Sequence, residues 1–409
     1  MKRVVVTGMG AISPIGNNAK VFWENAKKGT CGIDFIKRFD TADFKVKIAA
    51  EVKDFDPLQY IDKGEVRRTD LYAQYAIAAC QEAVDDSGIL GKINPERFGV
   101  YVSSGIGGLI TFYEESVKLH TGGANRVSPY FIAQMIENIA AGLVAIRFKA
   151  EGPALTTVTA CASSTNSIGE AFRAIKFGYA DAIIAGGSEA SIHPIVVAGF
   201  TNCMAMSRRN VPNETSVPFD IRRDGFVVGE GGGAIILEEY EHAKARGAKI
   251  YAEIAGYGHT CDAHHVTAPA PGGAGAARAI KLALEEASLD GDNLYINAHG
   301  TSTPLNDKSE TAAIKTAIGE AKAKKALISS TKSMIGHCLG AAGALEGIAT
   351  IMALKDGIAP PTIGYSQPDP ECDLDYVPNK ARKAPNLTSA ISTSMGFGGH
   401  NACIAFKKV

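Results

Sequence analysis

The 409 residues predict an α/β protein in which helix layers cover a mostly parallel sheet. Three observations carry that expectation. Short β-rich runs alternate with helix-periodic segments along the whole chain. The β-rich runs are apolar at successive positions, as strands buried on both faces are. The second half of the chain also echoes the first. In each half, a glycine- and alanine-rich helix follows a reactive residue and precedes more strand material.

In chain order, Val4–Val6 reads as a buried strand, followed by a glycine-rich turn at Gly8-Met9-Gly10. That turn imitates a dinucleotide-binding loop. However, Ser13 stands where the third glycine belongs, Pro14 follows at once, and no acidic residue closes a second strand, so no nicotinamide site is expected. Helical periodicity covers Leu71–Asp86, and Arg97–Val102 is strand-like. The stretch from Ile106 to Ser128 lacks either period and is too long for a plain connection, which points to a cap or an interface. Pro129–Phe148 reads as a helix, Thr156–Thr159 as a strand, Ser163–Phe177 as a helix and Asp181–Ala185 as a strand. Met204–Asp224 is polar, arginine-rich and irregular. Beyond it, strands are expected at Ala234–Leu237, Ala252–Ile254, Tyr295–Asn297, Ala326–Ser329, Ser389–Thr393 and Ala402–Phe406. Helices are expected at Ala276–Ser288, Glu310–Ile318 and Gly340–Leu354. The echo pairs Cys161 and its helix with His337 and its helix. It divides the chain near Arg246–Lys249, into residues 1–249 and 250–409.

Composition narrows the function. Forty-two basic residues against 43 acidic ones leave a net charge of −1, which argues against a nucleic-acid partner. The eight cysteines form no C-x-x-C pair and no zinc spacing, so a reducing compartment is the simpler reading and no metal is expected. The adjacent His264 and His265 would point to opposite faces of a strand, poor geometry for one ion. The N-terminal MKRVVV resembles the start of a signal peptide, but Thr7, Gly8 and Gly10 interrupt it too early. No run approaches the ~18 apolar residues of a membrane span. The expectation is a cytoplasmic protein without a membrane partner.

Four short motifs hold the chemistry-bearing residues. In TACASS (159–164), Cys161 lies between a β-branched stretch and a helix-like one, where backbone N–H groups point outward. There it is either a small buried hydrophobe or an activated nucleophile whose pKa can fall to roughly 3.5–7.5. NAHGTSTP (297–304) carries His299, STKSMIGH (330–337) carries Lys332 and His337, and GFGGHN (396–401) carries Phe397 and His400. One cysteine with distant histidine partners is the pattern of nucleophilic acyl transfer. GFGG also reads as an ordinary turn before the last strand, and His400 as a structural histidine.

In this order and spacing, the four motifs resemble those of the β-ketoacyl-acyl carrier protein synthases of the thiolase-like superfamily, the elongating condensing enzymes above all. The resemblance runs from MKRVVVTGMGAISPIG to GFGGHNACIAF. It implies a five-layered αβαβα fold from two duplicated halves. It also implies a decarboxylative condensation of an acyl group, held as a thioester on Cys161, with malonyl-acyl carrier protein. By the same resemblance, the Cys161 and Phe397 backbone amides form the oxyanion hole, and His299 and His337 stabilise the decarboxylating thioester. Lys332 supplies positive charge that orients a histidine; read from the residues themselves, a buried ammonium there lowers the cysteine pKa, with Asp307 and Glu310 as its candidate charge partners. Thr301 and Thr303 contact the pantetheine arm, and Ile106, Phe200 and Phe397 shape the acyl pocket and its gate. Lys63, Arg67, Arg68 and Arg126 dock the acidic carrier, with Arg208 and Arg209 as further candidates. Met204 stands where relatives often carry arginine. The implied assembly is a homodimer, and no cofactor is implied.

The nearest alternative is a biosynthetic thiolase, which needs a second cysteine as base, whereas here Cys403 falls in strand-like sequence after GFGGHN. A polyketide-type ketosynthase is a further alternative. An initiating synthase would carry asparagine where STKSMIGH has His337. A non-catalytic, chain-length-setting partner subunit would lack Cys161. A cysteine protease would need local signatures that are absent.

Overall fold

The nine residues VVVTGMGAI form one continuous, fully buried strand, β1 (Val4–Ile12), in the computed structural model, which describes residues 1–409. The strand therefore runs through the glycines expected to form a turn. A Cβ at Gly8 would lie 2.2 Å from the Ala83 carbonyl, and one at Gly10 would lie 2.0 Å from that of Ala79. The glycines serve a helix pressed onto the strand, as strand glycines often do.

The other sheet strands are β2 (Phe98–Ser103), β3 (Ala154–Leu155), β4 (Ala182–Glu189), β5 (Gly231–Glu239), β6 (Ala252–Cys261), β7 (Leu294–Asn297), β8 (Leu327–Ser329), β9 (Ser389–Gly396) and β10 (His400–Lys407). The principal helices are α1 (Ala19–Lys28), α2 (Lys63–Val66), α3 (Leu71–Ser87), α4 (Leu109–Gly122), α5 (Phe131–Met135), α6 (Ile139–Phe148), α7 (Ser163–Lys176), α8 (Pro194–Asn202), α9 (Ala274–Ala287), α10 (Pro304–Ile318), α11 (Lys332–Ile335) and α12 (Ala342–Asp356).

The ten strands form one sheet in the order β8-β7-β9-β10-β6-β1-β5-β4-β2-β3. Read outward from the centre, β1-β5-β4-β2-β3 and β6-β10-β9-β7-β8 repeat one strand order, and β1 meets β6 antiparallel at Val4–Ile254, Val5–Glu253 and Val6–Ala252. The seam against the covering helix repeats too. A Cβ at Gly258 of β6 would lie 1.8 Å from the Ala279 carbonyl of α9, the counterpart of Gly10 under α3.

The expectation of a mostly parallel sheet needs correction. The five central pairings are antiparallel, and only the four outer ones are parallel. Apolar strands register helices on both faces, and burial of that kind does not depend on strand direction. Helices α7 and α12 each touch strands of both halves, so they lie between them. Helices α3 and α6 cover the outside of the first half, and α9 with α10 covers the second. The layers therefore alternate as α, β, α, β, α.

Three local expectations fail. Pro129–Phe148 breaks into α5 and α6 because Ile136 is extended (φ −71°, ψ 139°). The irregular stretch after Ile106 contains α4, which buries only Thr111 and Glu115 and so shows no core-facing apolar stripe. Ladder pairing stops at Leu155, and residues 156–159 run on without it to the Cys161 turn. Helices α1 and α8 were not expected. No helix is long and apolar enough to cross a membrane.

Candidate active site

Cys161 occupies a 3-10 turn (Ala160–Ala162) that runs directly into α7, and Ala160 is held at φ +52° to make it. The polar residues of the motif lock this turn. Ser163 Oγ donates to the Ala160 carbonyl at 2.7 Å and accepts from the Thr159 N–H at 2.9 Å, while Asn166 Nδ2 donates to Thr159 Oγ1 at 2.7 Å.

His299 follows β7. The Glu310 carboxylate on α10 holds its loop, accepting the N–H groups of His299 at 2.7 Å and Gly300 at 2.8 Å and the Thr393 hydroxyl at 2.8 Å. His337 follows α11 after Gly336, whose φ of +64° suits glycine. The His337 N–H donates to the Val227 carbonyl at 2.7 Å, and the Gly229 N–H donates to the His337 carbonyl at 2.9 Å. The two imidazoles stand 5.3 Å apart, ring centroid to centroid, and nearly perpendicular at 87°. Neither ring nitrogen of His337 has a protein partner.

Lys332 begins α11, is 1% exposed, and forms an ion pair with the equally buried Glu346 of α12. Glu346 thus replaces Asp307 and Glu310, the partners expected from the sequence. Asp307 instead accepts the Phe219 N–H at 2.8 Å, and Glu310 is taken up by the His299 loop. Lys332 Nζ lies 3.3 Å from His299 Nδ1. An ammonium only donates, so Nδ1 accepts and the imidazole proton sits on Nε2. Burial first, and the Lys332 charge second, push both histidines well below the usual imidazole pKa. Both are neutral N–H donors at pH 7.

The thiol departs from expectation. A lowered Cys161 pKa was expected, but burial pushes it up to about 12. Lys332 and the Phe397 backbone N–H pull it down, while the Glu189 and Glu346 carboxylates oppose them. Desolvation of the anion wins, so the resting side chain is a thiol. GFGG is both an ordinary hairpin loop between β9 and β10 and part of the site. A Cβ on Gly396 would come within 2.6 Å of the Thr159 carbonyl and 3.3 Å of the Cys161 nitrogen, so only glycine lets Phe397 approach the sulfur.

One cavity of about 570 Å³ is lined by Cys161, His299, His337, Phe397, Ile106, Phe200, Thr301 and Thr303. Lys332 stands behind its wall. Thr301 and Thr303 share a hydrogen bond of 2.9 Å. An aromatic series connects the gate to the imidazoles: Phe397 to Phe200 at 6.5 Å, Phe200 to Phe226 at 5.3 Å, and Phe226 to His337 at 5.3 Å. Phe226 and Glu346 escaped the sequence reading, because nothing in their local sequence marks them. His400, read as structural, also lines the cavity.

Lys63, Arg67, Arg68 and Arg126 are all exposed and lie outside the cavity lining. Arg68 stacks 5.8 Å from the Tyr130 ring, and the Arg67 carbonyl accepts from Gln134 at 3.1 Å. Arg208 is exposed, whereas Arg209 pairs with Asp224 at 3.3 Å. Met204 lines the cavity, 77% exposed. His265 Nδ1 accepts the Thr267 and Ala268 N–H groups, both at 3.1 Å. No group of three or more His, Cys, Asp or Glu side chains is placed to hold a metal ion.

Comparison with known proteins gives consistent matches. Residues 1–243 match the model of the beta-ketoacyl synthase N-terminal domain, and residues 251–366 match that of the C-terminal domain. The chain is 51% identical to 3-oxoacyl-[acyl-carrier-protein] synthase 2 of Synechocystis sp., covering 100% of this chain and 98% of that one. The same-named protein of Staphylococcus aureus is also 51% identical, with the same coverage. Among solved structures, a beta-ketoacyl synthase from Burkholderia phymatum superposes with a TM-score of 0.93 at 36% identity, covering 100% of both chains. A type II PKS ketosynthase in complex with its acyl-carrier protein superposes with a TM-score of 0.92 at 34% identity, covering 100% of this chain and 99% of that one.

Proposed function

The chain belongs to the β-ketoacyl synthase family, and on that premise we propose that it lengthens fatty acyl chains by two carbons on acyl carrier protein. The observation that carries this reading is convergence: Cys161, His299 and His337 come from distant parts of the sequence yet line one cavity.

Cys161 Sγ attacks the carbonyl carbon of an acyl-carrier thioester. Its proton passes to a neutral imidazole and then to the departing carrier thiol, and a new thioester joins the acyl group to Cys161. The N–H groups of Cys161 and Phe397 hold the oxyanion of that transfer. A malonyl-carrier then enters. Its C–C bond to the carboxylate breaks, CO₂ leaves, and the electron pair becomes an enolate. The charge settles on the thioester oxygen facing His299 Nε2–H and the His337 imidazole. The enolate carbon attacks the Cys161 thioester, forming the new C–C bond. The C–S bond breaks, and a proton taken up from water restores the thiol. Lys332 keeps the His299 proton on Nε2 while its own charge is held by Glu346.

Lys63, Arg67, Arg68 and Arg126 form the landing surface for an acidic carrier, Thr301 and Thr303 bind the pantetheine arm, and Ile106, Phe200 and Phe397 select the acyl chain. The chain works as a homodimer in the cytoplasm, where its eight free cysteines stay reduced. It divides at residues 249 and 250, with the thiol in the first half and both imidazoles in the second. A thiolase reading is disfavoured because Cys403 is buried within β10 and away from the cavity lining.

The test is condensation of acyl-carrier with malonyl-carrier by wild type and Cys161→Ala. Loss of chain extension in the variant is expected, and an unchanged product yield would sink the proposal. Product from acetyl-coenzyme A alone, with no malonyl donor, would point instead to a thiolase.

A further inference from the structure

Glu189 ends β4 with no exposed surface, and the mechanism above assigns it no role. Its carboxylate joins two turns. Oε1 accepts the Ser104 hydroxyl at 3.0 Å, while Oε2 accepts the Gly105 N–H at 2.9 Å and the Gly340 N–H at 3.0 Å. Ser104 Oγ in turn accepts the Gly107 N–H at 3.0 Å, closing the turn that carries Ile106. On the other side, Leu339 sits at φ +46°, a conformation unfavourable for a leucine, immediately before the amide that Glu189 holds.

Ile106 and Leu339 both line the cavity and pack in one apolar cluster with Cys161. The two turns are in direct contact: a Cβ on Gly340 would lie 2.2 Å from the Gly105 nitrogen. The Cys161 turn abuts them as well, since a Cβ on Gly105 would lie 3.4 Å from the Ala160 carbonyl. The apolar wall beside the thiol therefore depends on one buried carboxylate.

We propose that Glu189 is a positioning residue for acyl-chain selection, clamping the Ile106 turn to the Leu339 turn behind Cys161. The inference rests on the reading of Cys161 as the acyl carrier of the reaction. Glu189 touches no reacting atom and acts through the two side chains that it fixes. Its carboxylate also lies within electrostatic reach of Cys161, Cys338 and Tyr72. Burial lifts its own pKa to about 7.

Three donors converge on the carboxylate, so an amide in its place turns an NH₂ group toward at least one of them. The experiment compares Glu189→Gln with wild type, measuring kcat and KM separately for dodecanoyl-carrier and butyryl-carrier. The expected result is a rise in KM for the long chain and a fall of about five-fold in the long-to-short ratio of kcat/KM, with kcat for butyryl-carrier kept within about two-fold. Ser104→Ala, which removes one of the three bonds without changing charge, lowers the ratio by about two-fold and serves if the Gln variant fails to fold. A ratio unchanged in whichever variant folds overturns the proposal. Intact-mass measurement of the wild type with dodecanoyl-carrier separates the two layers: absence of any Cys161 adduct overturns the underlying reading as well.

Discussion

Lys332 and Glu346 are both sealed from water at the heart of the site, so each depends on the other for its charge. Removing one partner strands the second, and Lys332→Ala is expected to lower unfolding stability by about 3–5 kcal/mol. Denaturant melts check this, and a Lys332→Ala/Glu346→Ala double variant should recover part of the loss.

The histidines set the pH behaviour. Their pKa values are depressed in the folded state, so below pH 6.5 the unfolded chain takes up protons that the folded site refuses, and stability falls as pH drops through that region. Malonyl-carrier decarboxylation should correspondingly show no acid limb centred near pH 6.5, and such a limb would contradict neutral imidazoles. Cys161 titrates at the opposite extreme. With its pKa near 12, its alkylation by iodoacetamide should keep accelerating beyond pH 9, and a plateau near neutrality would show an activated thiolate instead. The local sequence at TACASS announced a special cysteine but not its resting state. A helix N-terminus is readable from neighbours in the chain, whereas desolvation comes from residues brought in by folding. For the same reason Glu346 and Glu189 escaped notice.

At the scale of elements, the central helices are the sharpest constraint. A Cβ on Gly343 of α12 would lie 1.9 Å from Thr165 Oγ1 on α7, the helix that starts just after Cys161. Gly343→Ala forces the helices apart and should cost about 1–3 kcal/mol in thermal or chemical unfolding. It should also lower condensation activity, because the turn that carries the thiol runs directly into α7. Loss of neither stability nor activity would contradict the close approach. The small residues of both helices were visible in the sequence, as were most strands. What misled was periodicity where one face is not simply core: half-exposed α4 looked irregular, and the kink at Ile136 was hidden inside an apolar run. The Gly8-Met9-Gly10 motif shows the same ambiguity. A glycine that permits a turn and a glycine that permits a helix to touch a strand are identical on paper.

Across the whole molecule, β3 leaves a sheet edge unpaired, with Leu155 45% and Val158 48% exposed beside it. An apolar edge of this kind invites pairing with a second copy. The homodimer reading predicts one species at twice 42.9 kDa in sedimentation at micromolar concentration, and a monomer would contradict it. The two-half organisation was legible as an echo, because each half repeats its reactive residue and small-residue helix. The antiparallel centre was not legible, since strand direction leaves no trace in apolar strands covered on both sides.

Sulfur-borne acyl transfer is tested most directly by intact-protein mass spectrometry. Incubation with acyl-carrier alone should add the mass of one acyl group, less one hydrogen, to the wild-type chain. Peptide mapping should place it on Cys161, and Cys161→Ala should remain unmodified. An acyl adduct on another residue, or an equal adduct on the variant, would contradict it.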